Sequence, residues 1–403
     1  MKRIINALKA VRRFFLRRKA IYLAWRVRFD RETRLRALSW KRRVKRFIKS
    51  PFRSRPSFLI GPTNSANQAT LWAKVLTQAG LPSQSLRISG ELAKEWFSTD
   101  FALNREQWSE FSNRQELADL VASTKEVVLF ESLRPIFRLQ NEKDGRNLIL
   151  EDFELMKLLG KQSGVVFHGS DIRNTRAHAD RIPFSPFHRA SPELEKLEAR
   201  TAENTALLPE IRARKIPIFV TTKDLLLDLP DAHWLPVAID FDRFHKVALD
   251  SPIYPDANAP LRVLFLPSRS WLKSADLIEP VLLRLRDEGV ISYHSYLARG
   301  ENLSHSEVPG AIAQADLVID QFLGVIGVFP LEALAAGRLV MSYVPAEAGE
   351  VPIINITPDT LESEIRRVAS TRPHPQAGID FVREWHDGRE SVLALAAVFG
   401  FKI

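Results

Sequence analysis

The sequence contains no cysteine. Disulfides, thiolate zinc sites and a thiol nucleophile are therefore excluded, and the absence fits an intracellular chain without proving one. No run is long and apolar enough to span a bilayer, and the first residues lack the uninterrupted apolar stretch of a secretory signal, so a cytoplasmic body is expected. The nine histidines are scattered, with no His-x3-His pair of the kind that holds zinc on a helix. Most of the chain also lacks basic excess. Residues 1–55 hold 21 Lys and Arg against only Asp30 and Glu32, so the formal +10 hides a remainder with 37 bases and 46 acids, a balance of −9. A mildly acidic body argues against nucleic-acid binding by the main fold and for a local electrostatic anchor in the arm.

What is present begins with that arm. Ile4, Leu8, Val11, Phe15, Tyr22, Trp25 and Phe29 recur at helical spacings, with Arg12, Arg13, Arg17, Arg18 and Lys19 among them and Lys41-Arg42-Arg43-Val44-Lys45-Arg46 following. An aromatic-bearing apolar stripe beside many cations describes a helix lying on an anionic membrane surface. A solvated helix docked on the body or a partner, and a nucleic-acid arm, share the pattern. The expected partner is the membrane, at its inner face, and not nucleic acid. Two prolines, Pro51 and Pro56, end the arm.

At 403 residues, 45% of them apolar, the chain is sized for two domains. Strands are expected over residues 57–61, 86–88, 127–130, 165–168 and 218–221, with helices over 68–79, 153–159 and 192–206. A second α/β run follows a proline-bearing loop at 252–260. It has strands at 262–266, 291–296, 317–320 and 339–342 and helices at 275–288, 308–315 and 329–336. Such alternation implies parallel sheets with helices on both faces, and ligands of such sheets bind beyond the carboxyl ends of the strands.

The densest segment runs from Asp316 to Val340. A strand leads into a loop with Gly324 and Gly327, Pro330 suits a first helical turn, and Gly337 ends the helix. Backbone can approach closely at Gly327, the helix N-terminus favours a phosphate, and Glu332 can accept hydrogen bonds from a ribose diol. An ordinary loop, a capping glycine and a surface Glu would look similar. Arg269 and Lys273, just past a strand, are placed to neutralise phosphates, or are merely solvated bases. His168, ending the buried strand Val165-Val166-Phe167, reads as a site group or a structural imidazole, and Asp171 as a ligand-binding acid or a helix cap. Asp240-Phe241-Asp242 has metal-ligand spacing but no adjoining carboxylates, so no metal is expected.

The run Gly324-Val325-Ile326-Gly327-Val328-Phe329-Pro330-Leu331-Glu332, continuing through Ala333, Ala335 and Gly337, resembles the C-terminal signature of GT-B glycosyltransferases. It is chiefly similar to the large retaining nucleotide-sugar-dependent family, glycosyl transferases group 1. In that signature a first Glu precedes a Gly and a second Glu follows; Gly327 and Glu332 match, and Gly324 replaces the first Glu. The resemblance implies Glu332 on the donor ribose, Arg269 and Lys273 on the diphosphate, and His168 near the reacting sugar. Asn64, Arg173 and Gly324 become candidate acceptor or sugar contacts. Ser274 and Asn67 stand where the family commonly has Gly.

The expected architecture is α/β, two facing Rossmann-like domains of the GT-B type preceded by a basic helical arm. Its parts are an arm over 1–55, an acceptor domain over 56–238, a hinge over 239–260, a nucleotide-sugar domain over 261–380, and a closing helix over 381–403 packed back across the cleft. The expected function is a glycosyltransferase, metal-independent and retaining, with His168 and Asp171 as catalytic groups. It would use a nucleoside diphosphate sugar as donor substrate, no further cofactor, and a glycan or lipid-linked acceptor at the inner membrane face. The alternative is a non-catalytic relative that binds a glycan or a partner.

Overall fold

The computed structural model describes residues 56–89, 97–137, 148–256, 258–301 and 303–403. The arm over residues 1–55, with the membrane contact expected of it, lies outside them.

The first domain runs β1 (Phe58–Gly61), α1 (Gln68–Gln78), β2 (Ser83–Ser89), β3 (Phe101–Asn104), α2 (Arg105–Ser109), α3 (Phe111–Ser123), β4 (Val127–Glu131), α4 (Leu148–Leu158), β5 (Gln162–Phe167), α5 (Thr175–Arg181), α6 (Pro192–Ala213), β6 (Ile218–Val220) and β7 (His233–Trp234). The second runs α7 (Phe241–Asp250), β8 (Leu261–Phe265), α8 (Ala275–Asp287), β9 (Ile291–Tyr293), α9 (Val308–Ala313), β10 (Leu317–Ile319), α10 (Val328–Ala335), β11 (Leu339–Ser342), β12 (Ile354–Asn355), α11 (Leu361–Thr371) and α12 (Gln376–Trp385). A last helix, α13 (Arg389–Phe399), follows.

Both sheets are parallel throughout. The first has the order β3-β2-β1-β4-β5-β6-β7 and the second β12-β11-β10-β8-β9. Strand order reverses between β1 and β4 in one and between β8 and β10 in the other. At each reversal the loops leave in opposite directions and open a crevice. The architecture is thus two Rossmann-like domains.

Successive strand residues feed opposite faces of the first sheet. Leu59, Val128, Phe130, Val165 and Phe167 pack toward Leu117, Phe153 and Met156 of α3 and α4. Phe58, Ile60, Val127, Leu129 and Val166 pack toward Trp72 and Leu76 of α1, and toward Val392, Leu395 and Phe399 of α13. The last helix of the chain therefore completes the core of the first domain. Gly164 permits this close approach: a Cβ there would lie 2.7 Å from the Phe399 ring.

The connection between domains is pinned from both sides. The Gln68 amide donates to Ala238 O at 3.0 Å and accepts from Ala238 N at 2.8 Å, while Trp72 Nε1 donates to Pro236 O at 3.1 Å. From the other end of the chain, His386 Nδ1 donates to Val237 O at 2.9 Å and Ser391 Oγ to Pro236 O at 2.8 Å.

Two elements differ from the sequence expectation. Within the segment expected as a hinge, α7 forms because Phe241, Phe244 and Val247 recur on one helical face and pack into the second core. Helix α6 begins as expected, with the Ser191 hydroxyl accepting from Leu194 N at 3.1 Å and Pro192 in the first turn. It then runs through Pro209, because buried Leu208 and Ile211 continue its apolar stripe.

Candidate functional site

At the β1/β4 reversal the loop after β1 wraps a carboxylate of the protein itself. Thr63 N and Asn64 N donate to Glu131 Oε2 at 2.9 and 2.6 Å, and Ser65 N donates to Oε1 at 3.1 Å. The loop turns this tightly by placing Asn64, Ala66 and Asn67 at φ of 50°, 48° and 64°; Asn67 adopts the left-handed conformation that glycine would favour there. Glu131 ends β4 and is fully enclosed.

Its fourth partner is His168, one residue past β5, with Nε2 3.0 Å from Oε1. A carboxylate only accepts, so Nε2 carries the proton. The indole of Trp72 stacks on the imidazole at 5.9 Å and 13° between planes. Burial pushes His168 toward the neutral form, but the Glu131 hydrogen bond and charge, with Asp171 behind them, outweigh it and raise its pKa. Burial likewise opposes ionisation of Glu131, and His168 with the loop N–H groups overcomes it, lowering the carboxyl. The two groups hold each other through Nε2, and among the described residues His168 Nδ1 makes no hydrogen bond.

Three other predicted residues are engaged internally. Asp171 accepts from His168 N and Gly169 N, both at 2.9 Å on Oδ1, and from the Ser132 hydroxyl on Oδ2. It therefore holds the His168 loop in place instead of presenting a catalytic carboxylate. Arg173 is buried in an ion pair with Asp224, with Nε 3.1 Å and Nη2 2.5 Å from Oδ2, and offers no acceptor contact. Asn64 is buried, its Oδ1 accepting from Thr70 N at 3.2 Å, so its side chain belongs to the loop.

The β8/β10 reversal carries the phosphate-binding candidates. Lys273 Nζ lies 2.5 Å from Asp320 Oδ1 at the end of β10, and Asp320 Oδ2 is enclosed without a partner. Ser274 has φ 54°, so it too occupies a left-handed position, and α8 starts behind it with no side-chain cap. Arg269 is exposed and makes no ion pair among the described residues. Gly327 is the N-cap of α10, also without a side-chain cap, and a Cβ there would meet open space. The first turn of α10 is an unblocked positive dipole end.

Glu332, one residue beyond that turn, is buried, and its Oε1 accepts from His305 Nε2 at 3.0 Å. Burial raises its pKa against the pull of His305 and Arg243. The His305 ring meets Phe97 of the first domain edge-on at 4.5 Å, so Glu332 lies behind a contact between the domains.

Gly324 lies in another such contact. Its φ is +75°, and a Cβ would stand 3.0 Å from Ile182 and 3.3 Å from Tyr343. A side chain there would be crowded by Ile182, just after α5, and by Tyr343, and would sit on a left-handed backbone. His178 Nε2 donates to Leu323 O at 2.7 Å and His178 Nδ1 accepts from Ser185 Oγ at 2.8 Å, fixing one neutral tautomer. Burial, helped by Arg173, pushes its pKa down to about 4. Phe184 meets Tyr343 at 4.7 Å, and Phe187 meets Trp271 at 6.3 Å.

Comparison with solved structures matches this arrangement over nearly the whole described chain. A glycosyltransferase from Rickettsia africae is 12% identical with a TM-score of 0.50, covering 86% of this chain and 98% of its own. The chain has the GT-B fold. The HepE protein of Anabaena, in complex with UDP-glucose, is 10% identical with a TM-score of 0.45, covering 85% of this chain and 98% of its own. S. aureus MnaA with UDP is 13% identical with a TM-score of 0.45, covering 86% and 96%. No protein-family model matches the sequence, and no curated protein matches it.

Glu131, His305, His178 and Trp72 were not singled out from sequence. Glu131 had a usable signal, an acid closing the wholly apolar strand Val127-Val128-Leu129-Phe130. His305 and His178 act through partners 27 and 145 residues away, which local pattern does not disclose.

Proposed function

We propose that this GT-B protein is a glycosyltransferase that takes a sugar from a nucleoside diphosphate donor. The observation that carries the reading is the β8/β10 reversal. It joins an uncapped helix N-terminus, an exposed Arg269 with no ion pair among the described residues, and a buried Glu332 oriented by His305. Arg269 and the α10 dipole would hold the diphosphate and stabilise it as negative charge develops on departure, with Glu332 accepting from the ribose.

Across the cleft, His168 is held through Nε2 by Glu131, and its Nδ1 makes no hydrogen bond among the described residues. The cleft carboxylates Glu131, Asp171 and Asp320 are each held by N–H, hydroxyl or ammonium groups. None is a free nucleophile, which favours front-face attack with retention. The acceptor oxygen bonds to the anomeric carbon as the bond to the diphosphate breaks, and the acceptor proton passes to the departing phosphate oxygen. The acceptor is a glycan or lipid-linked sugar, and the basic arm brings the cytoplasmic body to the inner membrane face. Donor turnover by the purified chain tests this; turnover that survives Arg269→Ala and Glu332→Ala unchanged would refute it.

Gly324 favours a second reading, a non-catalytic binder of a glycan or a partner. Ile182 and Tyr343 close the space where the resembled family places its first Glu. Tight nucleotide binding without any turnover across acceptors would select that reading.

A further inference from the structure

The donor reading seats an anion at the first turn of α10, and the loop that delivers that turn is held from the other domain. Residues 321–327 leave β10 and end at Gly327, the N-cap of α10. Their own domain ties them near the start and the middle. Gln321 O accepts from Tyr343 N and from the Ser342 hydroxyl, both at 2.9 Å, and Gln321 Nε2 donates to Val325 O at 2.8 Å. Between these ties, the carbonyl of buried Leu323 accepts from His178 Nε2 at 2.7 Å, and among the described residues it has no other partner.

His178 is 145 residues away, on α5 of the first domain. That domain anchors α5 in its own right. Asn174 N donates to Asp228 Oδ2 at 3.1 Å, Arg181 pairs with Asp228 at 3.2 Å, and the Thr175 hydroxyl donates to Glu198 at 2.7 Å. The imidazole protons are fixed as well. Phe187 N donates to Ser185 Oγ at 3.2 Å, the Ser185 proton goes to His178 Nδ1, and Nε2–H is left for the Leu323 carbonyl. A relay of three hydrogen bonds thus starts in the segment after α5 and ends on the loop of the second domain.

Packing repeats the connection. Phe187 meets the His178 ring edge-on at 4.9 Å, and Phe187, Leu194 and Leu197 enclose the Leu323 side chain in one apolar cluster, with Val325 at its margin. Leu323 is therefore gripped by its carbonyl and by its side chain from a domain to which it does not belong. A buried carbonyl deprived of its donor is costly, so the loop keeps this path only while His178 is there to meet it.

We propose that His178 is a positioning residue of the nucleotide site: from the first domain it sets the path of the loop that aims the first turn of α10 at the diphosphate. The second domain then binds its donor fully only with the first domain docked on Leu323. The ligand in this proposal rests on the donor reading, while the contact between the domains stands on its own distances.

The test is calorimetric titration of the full chain and its variants with UDP, GDP and ADP. His178→Phe keeps a ring and deletes the donor. His178→Asn keeps an amide for Ser185 but falls short of Leu323. Each should weaken the bound nucleotide about fivefold or more, and either one serves if the other does not fold. His178→Gln carries an N–H at the reach of Nε2 and should recover most of that loss. Unchanged affinity in a folded His178→Phe or His178→Asn protein overturns the proposal and leaves the donor reading standing. A loss in His178→Gln as large as in His178→Asn also overturns it, because ring packing and not the bond to Leu323 would then be the cause. Absence of nucleotide binding by the parent chain rejects the donor reading, and the role of His178 with it.

Discussion

Glu131 Oε1 and His168 Nε2 stand 3.0 Å apart at neighbouring strand ends, and the carboxylate between them is completely enclosed. The folded His168 pKa lies above its ordinary 6.5, so its stabilisation is complete below 6.5 and is lost as pH rises through the folded value. Glu131 lies below its ordinary 4.5, so its share is complete above 4.5 and lost as pH falls through the folded value. Their joint contribution is therefore full between 4.5 and 6.5. Glu131→Gln should cost about 3 kcal/mol in urea unfolding at pH 5.5, because removing one member leaves a buried partner uncompensated. The cost should shrink toward pH 9. A cost that grows with pH would show that His168 is neutral in the fold.

Lys273 and Asp320 couple in the same way at the other reversal. Lys273→Met should destabilise by roughly 3 kcal/mol, since Asp320 has one oxygen already unpartnered and would lose its cation. Adding Asp320→Asn should recover more than half of that loss. Additive single effects in the cycle would mean that the two do not interact.

Gly324→Glu, which installs the acid of the resembled signature, should not improve activity. It should lower stability by about 1–2 kcal/mol from backbone conformation alone, before any clash with Ile182. Combining it with Ile182→Ala should recover part of the loss. A Gly324→Glu protein of parental stability and greater turnover would show that the space is open in solution.

Much of this was legible from the residues. Apolar runs such as Val165-Val166-Phe167 announced buried parallel strands, and the Gly327 to Gly337 pattern placed α10 correctly. Partners away in sequence were less legible: Asp171, Arg173 and Asn64 look like free polar groups in sequence, yet Ser132, Asp224 and Thr70 engage their side chains. Helix α7 was obscured because Asp240 and Asp242, with Pro252 beyond, resemble a linker, while its Phe241, Phe244 and Val247 face is visible only at helical spacing.

Phe399 ties the end of the chain to the first sheet, 5.8 Å from both Phe58 and Phe219. Phe399→Ala should cost about 3–5 kcal/mol in thermal or denaturant unfolding. A cost below about 1 kcal/mol would mean that α13 does not belong to that core.

The arm makes a separate claim on the membrane. The full chain should cosediment with vesicles containing phosphatidylserine, and salt should release it. Removal of residues 1–55 should abolish the effect. Retained binding after that removal would move the membrane contact to the body.

The central claim is that the β8/β10 reversal holds a nucleoside diphosphate. Calorimetric titration of the full chain with UDP, GDP and ADP tests it directly. One of the three should bind saturably at one site per chain, and Arg269→Ala and Glu332→Ala should each weaken it about tenfold or more. No binding by any of them, or equal affinity in both variants, would contradict it.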